Sequence, residues 1–179
     1  MSKGYTLNEL LIITCAKQIK DYENVILGVG LPMTAGALAK ALYAPHATLM
    51  MESGIIDFEP LVPLNHIADA HSCRGFSWAV DLFSAFTMTY RGFIDVCFLG
   101  VAQIDKYGNL NTTCIGDYYK PTLRLPGSGG AADFIAYAKR TILTLRGGEF
   151  VEKLDYFTSP GYLDGGDTRD KTGLFPQGS

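Results

Sequence analysis

One carboxylate stands out among the residues whose chemistry could carry a function. Glu52 is the only acidic residue in the otherwise largely apolar residues 49–56, which the small residues Ser53 and Gly54 interrupt with a turn. Residues 47–51 predict a short buried strand, and open α/β sheets place ligand chemistry at the carboxyl ends of strands. Burying an unpaired carboxylate would cost several kcal/mol. Position alone leaves two interpretations open, a functional carboxylate or a solvated acid just past a strand end.

Three glycine-bearing turns could supply the backbone amides that such chemistry needs. They lie at residues 28–32, 52–54 and 127–131, each after a predicted strand or before a predicted helix. Amides exposed at such turns bind anions without a basic side chain. Taken singly, each turn is more readily explained as a tight connection. The sequence has no phosphate-loop motif.

The histidines and cysteines are weaker candidates than Glu52 for a catalytic or metal site. His71 and Cys73 could form a thiol nucleophile with a base, but such pairs usually come from distant segments. His46 lies in a turn and His66 in a long loop, and no H-x-x-x-H spacing occurs. We therefore expect no metal site.

Composition narrows the class of protein. The chain has 179 residues, of which 47% are apolar and 18% charged, with a formal net charge of −3. This predicts one globular domain and argues against a nucleic-acid or anionic membrane partner. Cys15 and Cys97 lie in apolar runs and are expected to be buried thiols, which suits a reducing cytoplasm. Because no signal peptide or long apolar run occurs, we predict a cytoplasmic location.

The elements that must position Glu52 alternate between helix and strand. Thr6 and Glu9 form a capping box for a helix that should run to about Lys20. A strand at residues 25–29 and a helix beginning near Pro32 follow. This alternation predicts a parallel sheet covered by helices.

The rest of the chain predicts further elements of the same kinds. Gly108 and Asn109 should supply positive φ angles in the hairpin turn, and Asp155 is expected to be a solvated surface acid. The predicted elements are a long loop at 57–77, a helix at 78–90, a strand at 93–99, a hairpin at 103–111, a loop at 127–132 leading into a helix at 134–138, and strands at 140–145 and 153–158.

The motifs together resemble those of family I CoA-transferases, in their B (β) subunit and especially the glutaconate CoA-transferase type. The resemblance covers nearly the whole chain, and several motifs in one order are far more specific than any single motif. The segments that carry it are Gly28-Val29-Gly30-Leu31-Pro32, Met51-Glu52-Ser53-Gly54, residues 100–111, Gly116-Asp117-Tyr118, Gly127-Ser128-Gly129-Gly130-Ala131 and Thr158-Ser159-Pro160-Gly161.

The resemblance implies a fold and a chemistry. The fold would be α/β, an open, mostly parallel sheet with helices on both faces. Glu52 would be the nucleophile that forms a covalent glutamyl-CoA thioester in a ping-pong reaction. The residues implied in oxyanion stabilisation or CoA binding are Ser128, Gly129, Gly130, Gly30 and Gln103.

The resemblance also implies substrates and a partner. Coenzyme A would be a substrate, with no permanently bound cofactor and no metal. An A (α) subunit would complete a hetero-oligomer that acts on acyl-CoA and carboxylic acids. Relatives normally continue past residue 179, so we expect residues 1–179 to be one B-subunit domain that lacks the C-terminal segment. An acyl-CoA hydrolase or decarboxylase on the same fold, and a truncated non-catalytic partner subunit, remain the alternatives.

Overall fold

The computed structural model of the chain describes residues 4–59, 66 and 69–174. The helices are α1 (Leu7–Ala16), α2 (Leu31–Leu42), α3 (Leu82–Tyr90), α4 (Ala131–Tyr137) and α5 (Thr168–Lys171), with a 3₁₀ helix at Ala70–Cys73. The strands are β1 (Asn24–Leu27), β2 (Thr48–Met50), β3 (Ile55–Ile56), β4 (Trp78–Ala79), β5 (Val96–Gly100), β6 (Gln103–Ile104), β7 (Leu110–Asn111), β8 (Cys114–Gly116), β9 (Pro121–Arg124), β10 (Arg140–Thr144) and β11 (Glu149–Phe150).

The main sheet is open and mostly parallel, as predicted. Its strand order is β10-β5-β1-β2-β3-β4. The first four strands of this order pair in parallel, with Val25 opposite both Leu49 and Val96. The short strands β3 and β4 extend the sheet by antiparallel pairing. Two small sheets, β11-β6-β7 and β8-β9, lie outside this main sheet.

Helices cover both faces of the main sheet, which confirms the predicted layer arrangement. Successive residues of a strand point to opposite faces. Val25 and Leu27 of β1 accordingly join the core beneath α1 and α2. Ile26, between them, joins the core beneath α3 and α4. Strands β1, β2 and β5 are therefore buried on both sides, as their apolar sequences require, whereas the edge strand β10 is mostly half-buried.

The predicted start of α1 is correct and its predicted end is not. Thr6 accepts a hydrogen bond from the Glu9 backbone N–H, and the Glu9 carboxylate accepts one from the Thr6 N–H, completing the capping box. The helix ends at Ala16, not at Lys20. Beyond it, Gln18 donates to the Cys15 carbonyl in a tighter three-residue turn, so the chain leaves the helix before reaching β1.

The helix predicted at residues 78–90 is shorter than expected because its first residues form a strand. Trp78 and Ala79 pair with β3. Asp81 then caps α3 by accepting a hydrogen bond from the Ser84 backbone N–H at 2.7 Å. The predicted loop at 57–77 lies partly outside the described residues, and its described part includes the 3₁₀ helix.

The strand predicted at residues 153–158 is wrong. Strand β11 forms earlier, at Glu149–Phe150, and pairs in parallel with β6. The later segment forms no strand; near its end Ser159 makes an isolated bridge with Leu110 of β7, whose carbonyl also accepts from the Thr158 N–H. The predicted hairpin at 103–111 is confirmed. In its turn Gly108 has a φ of +74°, whereas Asn109 does not have a positive φ and instead hydrogen-bonds Asp105 through its side chain.

A matched pair of leucines tests the sheet–helix packing. Leu49 is fully buried in the core beneath α1 and α2, whereas Leu42 is 64% exposed. We expect Leu49→Ala to lower the free energy of unfolding by about 2–5 kcal/mol, because it leaves a cavity in a packed core. Leu42→Ala should change it by less than about 0.5 kcal/mol. Urea denaturation followed by circular dichroism measures both, and equal losses would contradict this packing.

Candidate active site

Glu52 lies at the edge of the sheet where the parallel strands end. It comes two residues after β2, and Gly28 comes directly after the neighbouring β1. The Gly28 backbone N–H donates to the Phe98 carbonyl of β5 at 3.0 Å, which holds these strand ends together. A methyl group at Gly28 would lie 2.9 Å from that carbonyl oxygen. The carboxylate thus stands at the position predicted for ligand chemistry in such sheets.

A tight turn holds Glu52 between β2 and β3. The Gly54 N–H donates to the Met51 carbonyl at 3.0 Å, and the Met51 N–H donates to the Ile55 carbonyl at 3.0 Å. Gly54 has a φ of +94°, and a Cβ there would lie 1.9 Å from the Val80 carbonyl oxygen. Only glycine fits both the backbone angle and this close approach. The turn therefore fixes the direction in which the Glu52 side chain leaves the chain.

The glycine loop before α4 meets the Glu52 carboxylate. The Gly130 backbone N–H donates to Glu52 Oε2 at 3.2 Å. At Gly129, a Cβ would lie 3.5 Å from the same oxygen. A Cβ on Gly130 would lie 2.6 Å from the Phe134 ring and 2.7 Å from the Phe86 ring. Gly129 has a φ of +49°, which favours glycine, and the two aromatic rings leave no room for a side chain at Gly130.

A cavity of about 260 Å³ opens beside the half-buried Glu52. Ser128 and Gly129 line it together with Glu52, so the structure brings together these residues that the sequence predicted. Its remaining lining residues are mostly apolar, and they are Ile26, Leu27, Gly28, Val29, Phe98, Leu99, Gly100, Thr112, Pro126, Gly127, Ala131 and Phe134. A carboxylate beside such a cavity lies within reach of a carbonyl group that enters it.

Gly30 lines a second, adjoining cavity of about 410 Å³. It is the residue before α2 and has a φ of +91°. The sequence did not single out two other residues of this cavity, Thr112 and Arg146. Arg146 lies in an exposed turn just after β10, and no sequence motif marks it.

Gln103 is buried away from the cavity that Glu52 lines. Its side-chain oxygen accepts hydrogen bonds from Asn111 Nδ2 at 2.8 Å and from the Asp155 backbone N–H at 3.0 Å. Its Nε2 donates to Asp155 Oδ2 at 3.1 Å. Asp155 also accepts from the Gly116 N–H, so it is a structural acceptor and not the purely solvated acid that the sequence indicated. Gln103 thus joins β6, β7 and β8, and its role in the active site stays a prediction.

The thiol alternative gains no support from the geometry. Cys73 is exposed at the end of the 3₁₀ helix, and His71 Nδ1 lies 2.7 Å from Asp69 Oδ1. Neither Cys73 nor His71 lines the Glu52 cavity. Cys15 and Cys97 are buried, as predicted, and burial raises the pKa of Cys97 to about 12, so this thiol stays protonated at neutral pH.

Within residues 4–59, 66 and 69–174, no three His, Cys, Asp or Glu side chains are grouped so that they could hold a metal ion. None of the helices in these ranges is long and apolar enough to cross a membrane.

Comparison with known proteins defines the class. Residues 9–174 match the family described as "Coenzyme A transferase". The protein belongs to the coenzyme A transferase family.

Within this family the chain is similar to B (β) subunits, as its motifs indicated. It is 39% identical over 174 residues to the B (β) subunit of 3-oxoadipate CoA-transferase from Pseudomonas knackmussii, covering 96% of this chain and 67% of that protein. It is 38% identical over 179 residues to the B (β) subunit of glutaconate CoA-transferase from Acidaminococcus fermentans, covering 96% and 66%. The chain therefore spans about two thirds of the length of these relatives.

Solved structures confirm the fold class. The crystal structure of glutaconate coenzyme A-transferase from Acidaminococcus fermentans matches with a TM-score of 0.87 and 36% identity, covering 96% of this chain and 68% of that one. The crystal structure of the decarboxylase AibA/AibB matches with a TM-score of 0.76 and 30% identity, covering 87% and 67%. Because proteins with different named reactions share this fold, the reaction must be argued from the site.

A pair of glycines tests the turn that positions Glu52. We expect Gly54→Ala to lower the free energy of unfolding by about 2–4 kcal/mol, because it combines a strained φ with a clash against the Val80 carbonyl. Gly92 also has a positive φ, of +75°, but a Cβ there meets nothing within 4 Å. Gly92→Ala should therefore cost only about 1 kcal/mol. Urea denaturation measures the free energy of unfolding of both variants. A Gly54 variant as stable as the Gly92 variant would contradict the predicted clash in the turn.

Proposed function

We propose that this chain carries the nucleophile of a CoA-transferase that moves coenzyme A between an acyl-CoA and a carboxylic acid. The observation that supports this most directly is the Glu52 carboxylate, held 3.2 Å from the Gly130 amide in a largely apolar cavity. A carboxylate is ionised at neutral pH and needs no general base in order to attack. The neighbouring Gly130 N–H is a hydrogen-bond donor that can stabilise the negative charge developing during such an attack.

The first half-reaction loads the enzyme with coenzyme A. A Glu52 carboxylate oxygen attacks the thioester carbonyl, and the resulting tetrahedral oxyanion collapses to expel the CoA thiolate. The product is a mixed anhydride between Glu52 and the acyl group. The thiolate then attacks the Glu52 carbonyl carbon, releasing the acyl group as a free carboxylate and leaving a glutamyl-CoA thioester.

The second half-reaction reverses these steps with the acceptor. The acceptor carboxylate attacks the glutamyl thioester, expels the CoA thiolate and forms a new mixed anhydride. The thiolate attacks the acceptor's acyl carbon, which regenerates the Glu52 carboxylate and releases the new acyl-CoA. No proton is consumed and no cofactor is needed, so coenzyme A acts only as a substrate.

The glycine loop serves the oxyanions in this scheme. The Gly130 N–H already points at a Glu52 oxygen, so the same donor can bind the oxyanion that forms at the Glu52 carbonyl. Loss of one such donor in other enzymes slows the reaction about 10²–10³-fold. Gly129 and Ser128 line the same cavity and form the wall against which the thioester lies.

The active form, in this proposal, is a hetero-oligomer with an A subunit. The two relatives described above support it, because each is one of the differing subunits of a CoA-transferase and so has a second chain as its partner. Their names, glutaconate and 3-oxoadipate, denote acids with two carboxyl groups, which makes a short dicarboxylic acid the first substrate to test. The cytoplasmic location stays a prediction from the sequence.

Decarboxylation is the alternative to transfer, because the decarboxylase AibA/AibB has the same fold. The presence of Glu52 in the cavity favours transfer, since hydrolysis or decarboxylation does not require a covalent carboxylate intermediate. Acceptor dependence separates the reactions: release of free CoA or of carbon dioxide without any carboxylic acid acceptor would contradict transfer. A non-catalytic chain would assemble with the A subunit and yield no activity.

Substitution of Glu52 tests the nucleophile. In the complex with the A subunit, Glu52→Gln should lower transfer by at least about 10³-fold, because the amide cannot form the anhydride. Glu152 is exposed and lies outside the cavity. Glu152→Gln should keep full activity, and undiminished transfer by the Glu52 variant would refute the proposal.

Chemical trapping tests the intermediate itself. After incubation with an acyl-CoA and no acceptor, borohydride should reduce the thioester at Glu52 to a primary alcohol and inactivate the enzyme. Peptide mass spectrometry locates the modified residue. The Glu52→Gln variant is the control in which no such product forms.

A further inference from the structure

The cavity beside the Glu52 cavity contains a charge to which the transfer chemistry above assigns no role. Arg146 is the only charged residue among the described residues that line it. Its side chain is exposed and forms no ion pair with any residue in the described ranges. A guanidinium group presents several N–H donors in a planar arrangement that matches a carboxylate or phosphate. The complementary ligand of this cavity is therefore an anionic group.

The sheet topology places Arg146 and Glu52 at the same edge. Arg146 comes two residues after Thr144, the last residue of β10, just as Glu52 comes two residues after β2. Three strand spacings separate β10 from β2, so these strand ends lie roughly 14 Å apart. Glu52 lines the first cavity and Arg146 lines the second, so both residues border the space beside these strand ends. A Cβ on Gly148 would lie 2.7 Å from the Val101 carbonyl, so the turn after Arg146 packs tightly on the end of β5.

The two cavities share a boundary, which Val29, Gly100, Thr112 and Pro126 line from both sides. Thr112 is only 9% exposed, and its Oγ1 has no hydrogen-bond partner among the described residues. Its backbone is held in place, because its N–H donates to Thr158 Oγ1 and its carbonyl accepts from the Gly127 N–H. Buried hydroxyls normally have a partner, and a polar ligand group at this boundary would provide one.

We propose that the second cavity binds the distal carboxylate of a dicarboxylic acyl group, with Arg146 as its cation. This assignment rests on the proposed function, since it places the thioester carbonyl at Glu52. The few methylene groups of a short acyl chain then separate that carbonyl from the second carboxylate. Leu31, Pro32, Leu123 and Leu125 supply apolar walls for the intervening methylene groups. A monocarboxylic acyl group of the same length would leave Arg146 without its anion, so Arg146 would determine specificity.

A phosphate of coenzyme A is the other anion with matching chemistry. In an acyl-CoA the phosphates are separated from the thioester by the whole pantetheine arm. The second cavity, in contrast, directly adjoins the cavity of the attacking carboxylate. The position of the second cavity therefore favours an anion on the acyl side of the thioester. A pair of thioester substrates distinguishes an acyl carboxylate from a CoA phosphate.

The test compares two thioesters that differ only in the distal carboxylate. With the A-subunit complex, we expect Arg146→Gln to lower kcat/KM for glutaryl-CoA on the order of 10- to 100-fold, the usual effect of losing a hydrogen-bonded charge pair. The same variant should leave kcat/KM for valeryl-CoA within about 2-fold of the parent. Arg91 is also exposed and lies outside both cavities. Arg91→Gln is the matched control and should change neither value.

Each other result has a definite meaning. An equal loss with both thioesters, accompanied by a higher KM for each, would assign Arg146 to a CoA phosphate and overturn the proposal. No change with either thioester would show that the cavity binds no anion. Borohydride trapping of valeryl-CoA at Glu52 in the Arg146→Gln complex confirms that the chemistry is intact.

A binding measurement separates this inference from the proposed function. Calorimetry with free glutarate and free valerate should show that Arg146→Gln weakens glutarate binding about 10-fold or more and leaves valerate binding unchanged. If the unsubstituted complex forms no Glu52 adduct with any acyl-CoA, the transfer proposal fails, while this binding difference still tests the carboxylate site. Equal affinities for glutarate before and after substitution would overturn the site.

Discussion

Parallel pairing of β10, β5, β1 and β2 is the constraint on which the rest of the structure depends. Because these strands run in one direction, their carboxyl ends meet at one edge, and Glu52 and Arg146 lie on loops that leave this edge. The apolar strands are buried on both sides by helices, so this edge cannot shift without disrupting two cores. Precise placement of the site therefore comes from the packing of the whole sheet and not from the loops alone.

Glycine allows the site loops to approach one another closely. Gly54 lets the turn after β2 pass against the Val80 carbonyl, and Gly130 lets the loop before α4 pack against the rings of Phe134 and Phe86. A carboxylate in a partly apolar cavity loses solvation, and a backbone amide offsets part of that loss without adding a titratable group. The same amide is suited to an oxyanion. The Gly130 N–H would thus stabilise both the resting Glu52 carboxylate and the oxyanion formed during catalysis.

Predictions from the sequence succeeded where the determining contacts are local. The capping box of Thr6 and Glu9 spans four residues, and the hairpin at 103–111 closes over a short turn, so both could be predicted from neighbouring residues. The buried strands followed from uninterrupted apolar runs. The helix predicted at 78–90 forms, but its predicted start was wrong because Trp78 and Ala79 pair with β3, more than twenty residues earlier. The strand predicted at 153–158 is wrong because no described strand pairs with it; its Asp155 N–H donates to the Gln103 side chain and its Thr158 N–H to the Leu110 carbonyl.

The sequence by itself determined the kinds of groups available: one carboxylate after a buried strand, glycine-rich turns, and an order of motifs that identifies the coenzyme A transferase family. Only the tertiary structure decided which groups meet. The Gly130 amide reaches Glu52 across 78 residues of chain, Gln103 turns toward Asp155 and away from the Glu52 cavity, and Arg146 shares the sheet edge with Glu52. Strand order sets these distances, and strand order depends on contacts far apart in the chain that no local pattern encodes.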